Sequence, residues 1–490
     1  MRLYLILFLV VLCNMQGSAQ PRLDSLFNRS DLIADLESLK QALLTSHPSP
    51  FEFCSEKYFN KVYEASTYAI EERTSLSEFS LIVANLLNTL RDSHTAIDYN
   101  QLQELQLAYG GFYLPLGIER VPDGRLRLLV KRDWEQKITA GSELLSVNGV
   151  DTEQLFKRAL SYACIEGDAE EAQKAVATSI LMICAGLNNP FKAENQVRVV
   201  DFNSGDTLDV TLKGYIRKDF YRERYRREMD EYPYPVVLDI DDEHNLAILK
   251  VTTFAPAGAR KYKRRLQECF SQVIEGNYGN LVIDLRNNGG GSSAMVEYLY
   301  SFLDTAGYNT PSNVIGRNSS LASSRSRLMY STLGDIITFL FYARNEDVQS
   351  FRHFAELPEG GIDTVYFNQP TRQVPSLVYG GKCFVLINGL TASAAVDFTN
   401  AFKKRKRGVI VGQQCLGPVT GTWGNPAAYT LPKTGLRVSI ATIRYNYDDS
   451  FNYERNAIMP DHWVDCSAEH LNTKTDSQIE FVINQLKKKR

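Results

Sequence analysis

Cys383-Phe384-Val385-Leu386-Ile387-Asn388-Gly389-Leu390-Thr391-Ala392-Ser393-Ala394-Ala395 is the stretch on which the fold turns. Residues 383–388 read as a short apolar strand, 389–392 as a turn, and Ser393 as the opening of a helix that runs to about residue 402. A serine at such a junction has two readings. It caps the helix through its side-chain oxygen, or it is a nucleophile whose developing oxyanion sits in the partly positive field of the helix's unpaired N–H groups. Ala392, Ala394 and Ala395 leave room beside it for a substrate backbone.

The same layout recurs upstream. A strand at 281–285 leads into Arg286-Asn287-Asn288-Gly289-Gly290-Gly291-Ser292-Ser293 and then an amphipathic helix through residue 302. With a further strand at 246–251, the region 236–465 alternates strands and helices and reads as an α/β domain. The glycine loop loosely satisfies the dinucleotide fingerprint, but the next strand-like run, 313–316, ends without the required carboxylate. Its backbone N–H groups are equally suited to an oxyanion. Leu431-Pro432-Lys433-Thr434-Gly435 matches a cell-wall sorting pentapeptide, yet no apolar span follows it. Its Lys-Thr-Gly lacks the Ser-x-x-Lys that penicillin-binding enzymes carry, so the run reads as a hairpin turn between 427–431 and 436–442. Residues 303–382 form a long connection with a helix-like piece at 321–354 and a hairpin-like piece near 365–373. A lid and an oligomer contact are both open roles for it.

Toward the N-terminus, Leu32, Leu36, Leu39 and Leu43 recur at helical spacing, and so do Phe79, Ile82, Leu86 and Leu90. His47-Pro48-Ser49-Pro50 breaks this helical region, and Arg91-Asp92-Ser93-His94-Thr95 ends it. His94 thus lies on a connection, either as a functional group on a rigid scaffold or as a solvent-facing loop histidine. Residues 110–214 carry short strands and turns with helical segments between 152 and 187. The charged, tyrosine-rich run 216–234 reads as a solvated linker helix, and 476–490 as an amphipathic helix whose cationic end complements its dipole.

The 490 residues, 44% hydrophobic and 23% charged, suffice for two to four domains with proper cores. Lysine plus arginine (54) nearly balance aspartate plus glutamate (57), so no basic field points to nucleic acid or anionic lipid. Residues 1–19 read as a secretory signal: Arg2, an apolar run, then Gly17-Ser18-Ala19. No apolar run is long enough to span a membrane, so a soluble, exported protein is expected. Seven cysteines follow the signal, odd in number and scattered, and read as small core hydrophobes rather than a disulfide framework. The six histidines show no metal-ligand spacing, and neither metal nor cofactor is expected.

Taken together, Leu281-Val282-Ile283-Asp284-Leu285-Arg286-Asn287-Asn288-Gly289-Gly290-Gly291, then Asn388 through Ala395, then Val411-Gly412-Gln413-Gln414-Cys415-Leu416-Gly417, resemble the core of the C-terminal-processing (tail-specific) serine peptidases, whose family includes the tricorn protease core. The resemblance extends to His47-Pro48 and Asp92-Ser93-His94-Thr95. It takes in residues 138–150, which resemble the PDZ-like peptide-binding domains, and the stretch from Glu454 to Pro460-Asp461. In the family's Ser/Lys style a lysine stands about where this chain has Pro418, and proline cannot take a proton. The tricorn-like style draws a histidine from a Ser-His pair and a glutamate from E-x-x-x-(I/V)-x-P-D, which Ser93-His94 and Glu454-Arg455-Asn456-Ala457-Ile458-Met459-Pro460-Asp461 match. The resemblance therefore implies Ser393 as nucleophile, His94 as base, and a Ser93 to Glu454 pair orienting the ring, with Asp461 structural. A serine hydroxyl needs a base of suitable pKa and a group to orient that base, which agrees with these roles. Gly290, Gly291 and Ala394 are the expected oxyanion donors.

The expected architecture is multidomain α/β: signal peptide 1–19, N-terminal helical domain 20–100, PDZ-like β-rich domain 101–215, linker 216–235, a crotonase/ClpP-like α/β catalytic core 236–466, and a C-terminal helix 467–490. The expected function is a serine endopeptidase acting on polypeptides, periplasmic or extracellular. The alternative is an inactive peptide- or ligand-binding relative. A core of this fold acting on acyl thioesters would bind coenzyme A, and nothing basic near the Gly289 loop favours that reading. Oligomeric state is left open.

Overall fold

The apolar runs that the sequence marks as strands become neighbours in one six-stranded sheet, ordered His462–Trp463, Val409–Gly412, Lys382–Ile387, Asn280–Asp284, Leu246–Val251, Val236–Asp241. Its pairings are parallel except at Val236–Asp241, which runs antiparallel to Leu246–Val251. The computed structural model describes residues 21–129, 138–231, 234–304, 311–322, 345–367, 377–447 and 457–488. The expected signal peptide falls outside them. Side-chain alternation along the strands separates the two faces of the sheet. Leu281, Ile283, Val385 and Ile387 join Phe270, Tyr300 and Phe398 of the helices Ala259–Glu275, Ser293–Ser301 and Ala394–Lys404. Val282, Phe384, Leu386 and Val411 turn the other way and meet Val482 of the helix Ser477–Lys487. Cover on both faces explains why these strands are continuous apolar runs rather than alternating ones.

An antiparallel sheet runs Gly117–Arg120, Leu126–Leu129, Glu143–Val147, Glu194–Val200, Thr207–Lys213, with Val150–Asp151 paired to Glu143–Val147. The helices Thr152–Tyr162 and Glu170–Asn188 are inserted between its strands and share one apolar cluster with the N-terminal helices Arg29–Ser46, Glu56–Ala69 and Leu76–Asn88. A capping box of Ser75 and Glu78 starts the last of these. Among the described residues no helix is long and apolar enough to cross a membrane. The seven cysteines from Cys54 to Cys466 are free thiols, five of them buried, in keeping with small core hydrophobes.

In the long connection, the strand Ile362–Tyr366 pairs back onto Asn313–Arg317, within a four-stranded antiparallel sheet completed by Ile443–Asn446 and Gly421–Gly424. Residues 323–344 and 368–376, where most of the helix-like and hairpin-like pieces fell, lie outside the described residues; the helix Asn345–Glu356 is described.

The Pro432-Lys433-Thr434-Gly435 turn is a hairpin turn. Ala427–Thr430 pairs with Arg437–Ile440, and the Leu431 N–H donates to the Leu436 carbonyl at 2.9 Å. This hairpin leaves the domain that precedes it in sequence and buries Leu431, Leu436, Val438 and Ile440 in the N-terminal apolar cluster. Asp35, fully buried, holds its tip: its carboxylate accepts the Lys433 N–H (2.8 Å), the Thr434 N–H (2.9 Å) and the Thr434 hydroxyl (2.6 Å). The returning strand then lies along residues 95–98. The Asp98 N–H donates to Arg437 O at 3.0 Å, the Ser439 N–H to Ala96 O at 2.8 Å, and the Ala441 N–H to Thr95 Oγ1 at 3.0 Å. A segment of the C-terminal half thereby fixes the chain on which His94 stands.

Candidate active site

Ser393 follows the strand Lys382–Ile387 and precedes the helix Ala394–Lys404. Its backbone takes φ 52° and ψ −126°, a conformation that costs a residue with a Cβ of order 1–3 kcal/mol. The surrounding loops over-determine it. Asn288, fully buried, accepts the Ala392 N–H on its carbonyl (3.0 Å) and the Gly290 N–H on Oδ1 (2.9 Å), while its Nδ2 donates to Val251 O (2.9 Å). Thr391 Oγ1 donates to Leu285 O at 2.9 Å. The Ser393 side chain makes no capping hydrogen bond to the helix. Its Oγ lies instead 3.2 Å from His94 Nε2.

The glycine loop meets this turn closely. A Cβ on Gly290 (φ +95°) would stand 2.7 Å from Ser393 Cβ and 2.8 Å from the Ala394 nitrogen. One on Gly291 (φ +140°) would stand 2.3 Å from the Phe254 carbonyl carbon, so neither position admits a side chain. Gly290 therefore contributes clearance rather than a donor, its N–H being engaged by Asn288. The N–H groups of Gly291 and Ala394 make no hydrogen bond to any described residue.

His94 enters from the far side, 299 residues away in sequence. Its backbone N–H donates to Asp92 Oδ1 at 2.8 Å. On its inner edge, Nδ1 lies 3.5 Å from Ser93 Oγ, 3.7 Å from Asp92 Oδ1 and 3.8 Å from Glu166 Oε2. Asp92 is itself held by His47, whose Nε2 donates to Asp92 Oδ2 (3.0 Å) because His47 Nδ1 already accepts the Ser49 N–H (3.1 Å). Glu166, fully buried, accepts the Ser93 hydroxyl on Oε2 and the Thr422 hydroxyl on Oε1 at 2.6 Å.

Charge follows geometry. Burial alone raises the Asp92 pKa, but hydrogen bonds and charge from His47 and His94 outweigh it and hold the carboxyl well below the usual range. Burial depresses His94, yet Asp92, Glu166 and Asp397 together push its pKa above the ordinary imidazole value. Glu166 is pushed up, first by burial and then by Asp92, against the pull of His94, Ser93 and Thr422.

Of the residues expected from sequence, the structure brings together Ser393, His94, Ser93 and the Gly290–Gly291 loop, with Ala394 at the helix start. Glu454 lies outside the described residues. Asp461 accepts the Ile410 N–H at 2.9 Å and so steadies a strand of the sheet. Asp92, His47 and Glu166 had no assigned role in the sequence reading. The first two stood inside quoted motifs; Glu166 sits in Cys164-Ile165-Glu166-Gly167-Asp168, where a carboxylate among apolar neighbours and beside a glycine was the available signal. Among the described residues no group of three or more His, Cys, Asp or Glu has a metal-holding arrangement.

Residues 245–464 match the family described as Peptidase family S41. No curated protein matches the chain. Among solved structures, mature CPAF is similar in fold, with TM-score 0.64 at 16% identity, covering 94% of this chain and 97% of that one. Mature CPAF complexed with lactacystin gives TM-score 0.63 at 18% identity, with 94% and 98% covered. At such identities the likeness is one of fold, and it extends over both the sheet bearing Ser393 and the parts that carry His94.

Proposed function

We propose, from the match of residues 245–464 to peptidase family S41, a family of serine-type peptidases, that the chain is a serine endopeptidase that cleaves polypeptides through an acyl-enzyme on Ser393. The observation that carries this proposal is the 3.2 Å approach of His94 Nε2 to an uncapped Ser393 hydroxyl. His94 takes the Ser393 proton as Oγ attacks the scissile carbonyl carbon, then gives it to the leaving amine as the acyl-enzyme forms; water, deprotonated by the same ring, releases the product. The N–H groups of Gly291 and Ala394, which make no hydrogen bond to a described residue, are the donors this reading assigns to the developing oxyanion, and such donors are commonly the largest electrostatic contribution to acyl transfer. Once His94 is charged, Nδ1–H points toward Ser93 and the two carboxylates behind it. Sequence resemblance assigns the carboxylate behind Ser93 to Glu454; the roles of Ser393, His94 and Ser93 do not depend on that assignment.

We further infer an exported enzyme, periplasmic or extracellular, from the sequence of residues 1–19, and a PDZ-like role for the antiparallel sheet of residues 117–213 from the run 138–150. Treatment with a serine-reactive fluorophosphonate should modify Ser393, mapped by peptide mass spectrometry, and Ser393→Ala should abolish both labelling and peptide cleavage while the melting temperature stays nearly unchanged. Absence of labelling in folded wild-type protein returns the chain to the alternative, a binding relative of the same fold.

A further inference from the structure

Among the described residues, Glu166 is the carboxylate that reaches His94 through a hydroxyl, and nothing in the sequence resemblance assigns it a role. It lies in the connection between the helices Thr152–Tyr162 and Glu170–Asn188, and that connection is stitched to the His94 loop at several points. The Gly167 N–H donates to Arg91 O at 3.0 Å, the Arg91 guanidinium meets Asp168 at 3.1 Å, and Asn88 Nδ2 donates to Ser161 O at 2.9 Å. Tyr99 joins the same seam, donating to Tyr162 O (2.7 Å) and accepting the Cys164 N–H (3.0 Å). A third segment, the strand Gly421–Gly424, supplies Thr422. Such care around an acidic side chain with no exposed surface calls for a reason, because an ion taken out of water costs several kcal/mol unless it is paired and hydrogen-bonded.

Resting on the peptidase reading above, we propose that Glu166 is the positioning residue of the catalytic base: it fixes the Ser93 hydroxyl as an acceptor for the His94 Nδ1 proton and supplies the negative charge that meets the imidazolium. Both Glu166 oxygens are occupied by hydroxyl donors, so Ser93 spends its only proton on Oε2 and offers a lone pair to His94 Nδ1, its other hydrogen-bonding neighbour among the described residues. That selects the tautomer with Nε2 bare toward Ser393, the form a general base requires. Asp92 takes a different part. Its two oxygens are engaged by His47 and by the His94 backbone, and it holds the loop while adding charge from the side.

Among the described residues, the charged and titratable groups around this link are these. His94 is faced by Asp92, Glu166 and Asp397; Glu166 is faced by His94 and Asp92, with the thiols of Cys164 and Cys415 nearby. Glu166→Gln keeps the shape and removes one of the three carboxylates that raise the His94 pKa. The acid limb of kcat/KM should therefore move to lower pH, and kcat should fall about 10²-fold, less than the ~10⁴-fold seen when a carboxylate that touches the ring is neutralised. Ser93→Ala should cost a similar factor in kcat with KM little changed and the limb in place, since the Glu166 charge remains. The double variant should be no worse than the poorer single one, because the two side chains act as one link. A titration of ¹³C-labelled histidine should show the same downward move of the His94 pKa in Glu166→Gln, whether or not the enzyme turns over peptide. A folded Glu166→Gln with wild-type kcat and an unmoved His94 pKa overturns the proposal, and so does a Ser93→Ala variant with wild-type kcat should Glu166→Gln fail to fold. Failure of fluorophosphonate labelling in the wild type would instead remove the peptidase reading and leave the titration standing as the test of Glu166.

Discussion

The Ser393–His94 pair carries a pH dependence whose sign is set by the groups around the ring. Only neutral imidazole accepts the serine proton, so activity must rise with pH through the His94 ionisation. Because Asp92, Glu166 and Asp397 outweigh burial and raise that pKa, the acid limb of kcat/KM is expected above 6.5, the ordinary imidazole value. A limb below that value would show that the carboxylates are screened in solution. His94→Gln should lower turnover by ~10³-fold or more, as loss of a triad member does, and a near-wild-type rate would give the base role to another residue. At this scale the sequence was legible where function and local grammar coincide. Ser393 stands at a strand-to-helix turn, and His94 at the end of a helical run. Glu166 was missed, since its apolar neighbours Cys164 and Ile165 are a weak signal beside Asp168, Glu170 and Glu171, which make the run look like part of a solvated face. Its burial arises only when three distant segments converge.

At the scale of elements, the two strand–loop–helix units of the core are placed side by side by the parallel pairing of Asn280–Asp284 with Lys382–Ile387. Their loops then have to pass within van der Waals contact, which is why Gly290 can carry no side chain. Gly290→Ala is expected to lower turnover by ~10²-fold or more, through displacement of Ser393 and of the Ala394 N–H, a loss comparable to that of one oxyanion donor. Steady-state kinetics on a folded variant checks this, and wild-type turnover would mean that the turn relaxes without cost. The core strands and the Pro432-Lys433-Thr434-Gly435 hairpin were readable from apolar runs and turn chemistry. The pairing of Ile362–Tyr366 with Asn313–Arg317 was not, because strand registry across 45 residues leaves no local mark.

For the whole molecule, the active site exists only where two apolar clusters meet, one holding the His94 loop and the other the Ser393 helix. The hairpin 427–440, seated on Asp35, fastens them. Asp35→Ala would strand the buried N–H and hydroxyl of Thr434 and the part-buried N–H of Lys433, at ~1–3 kcal/mol for each buried group left unpaired. A lowered denaturant midpoint together with reduced kcat is expected; reduced stability with unchanged kcat would show that the hairpin does not govern the His94 position. Sequence periodicity separated a helical N-terminal part from an α/β core, but it gave no hint that residues 427–440 pack with the former, since such swaps are decided by long-range packing. The strand that runs beside residues 95–98 lies more than 330 positions downstream of them. During synthesis, the serine, the histidine and the loop that will hold the histidine all emerge from the ribosome before the segment that aligns them. On the peptidase reading, the nascent chain therefore cannot hold His94 against Ser393 until residues 427–440 have been made and have folded back along residues 95–98.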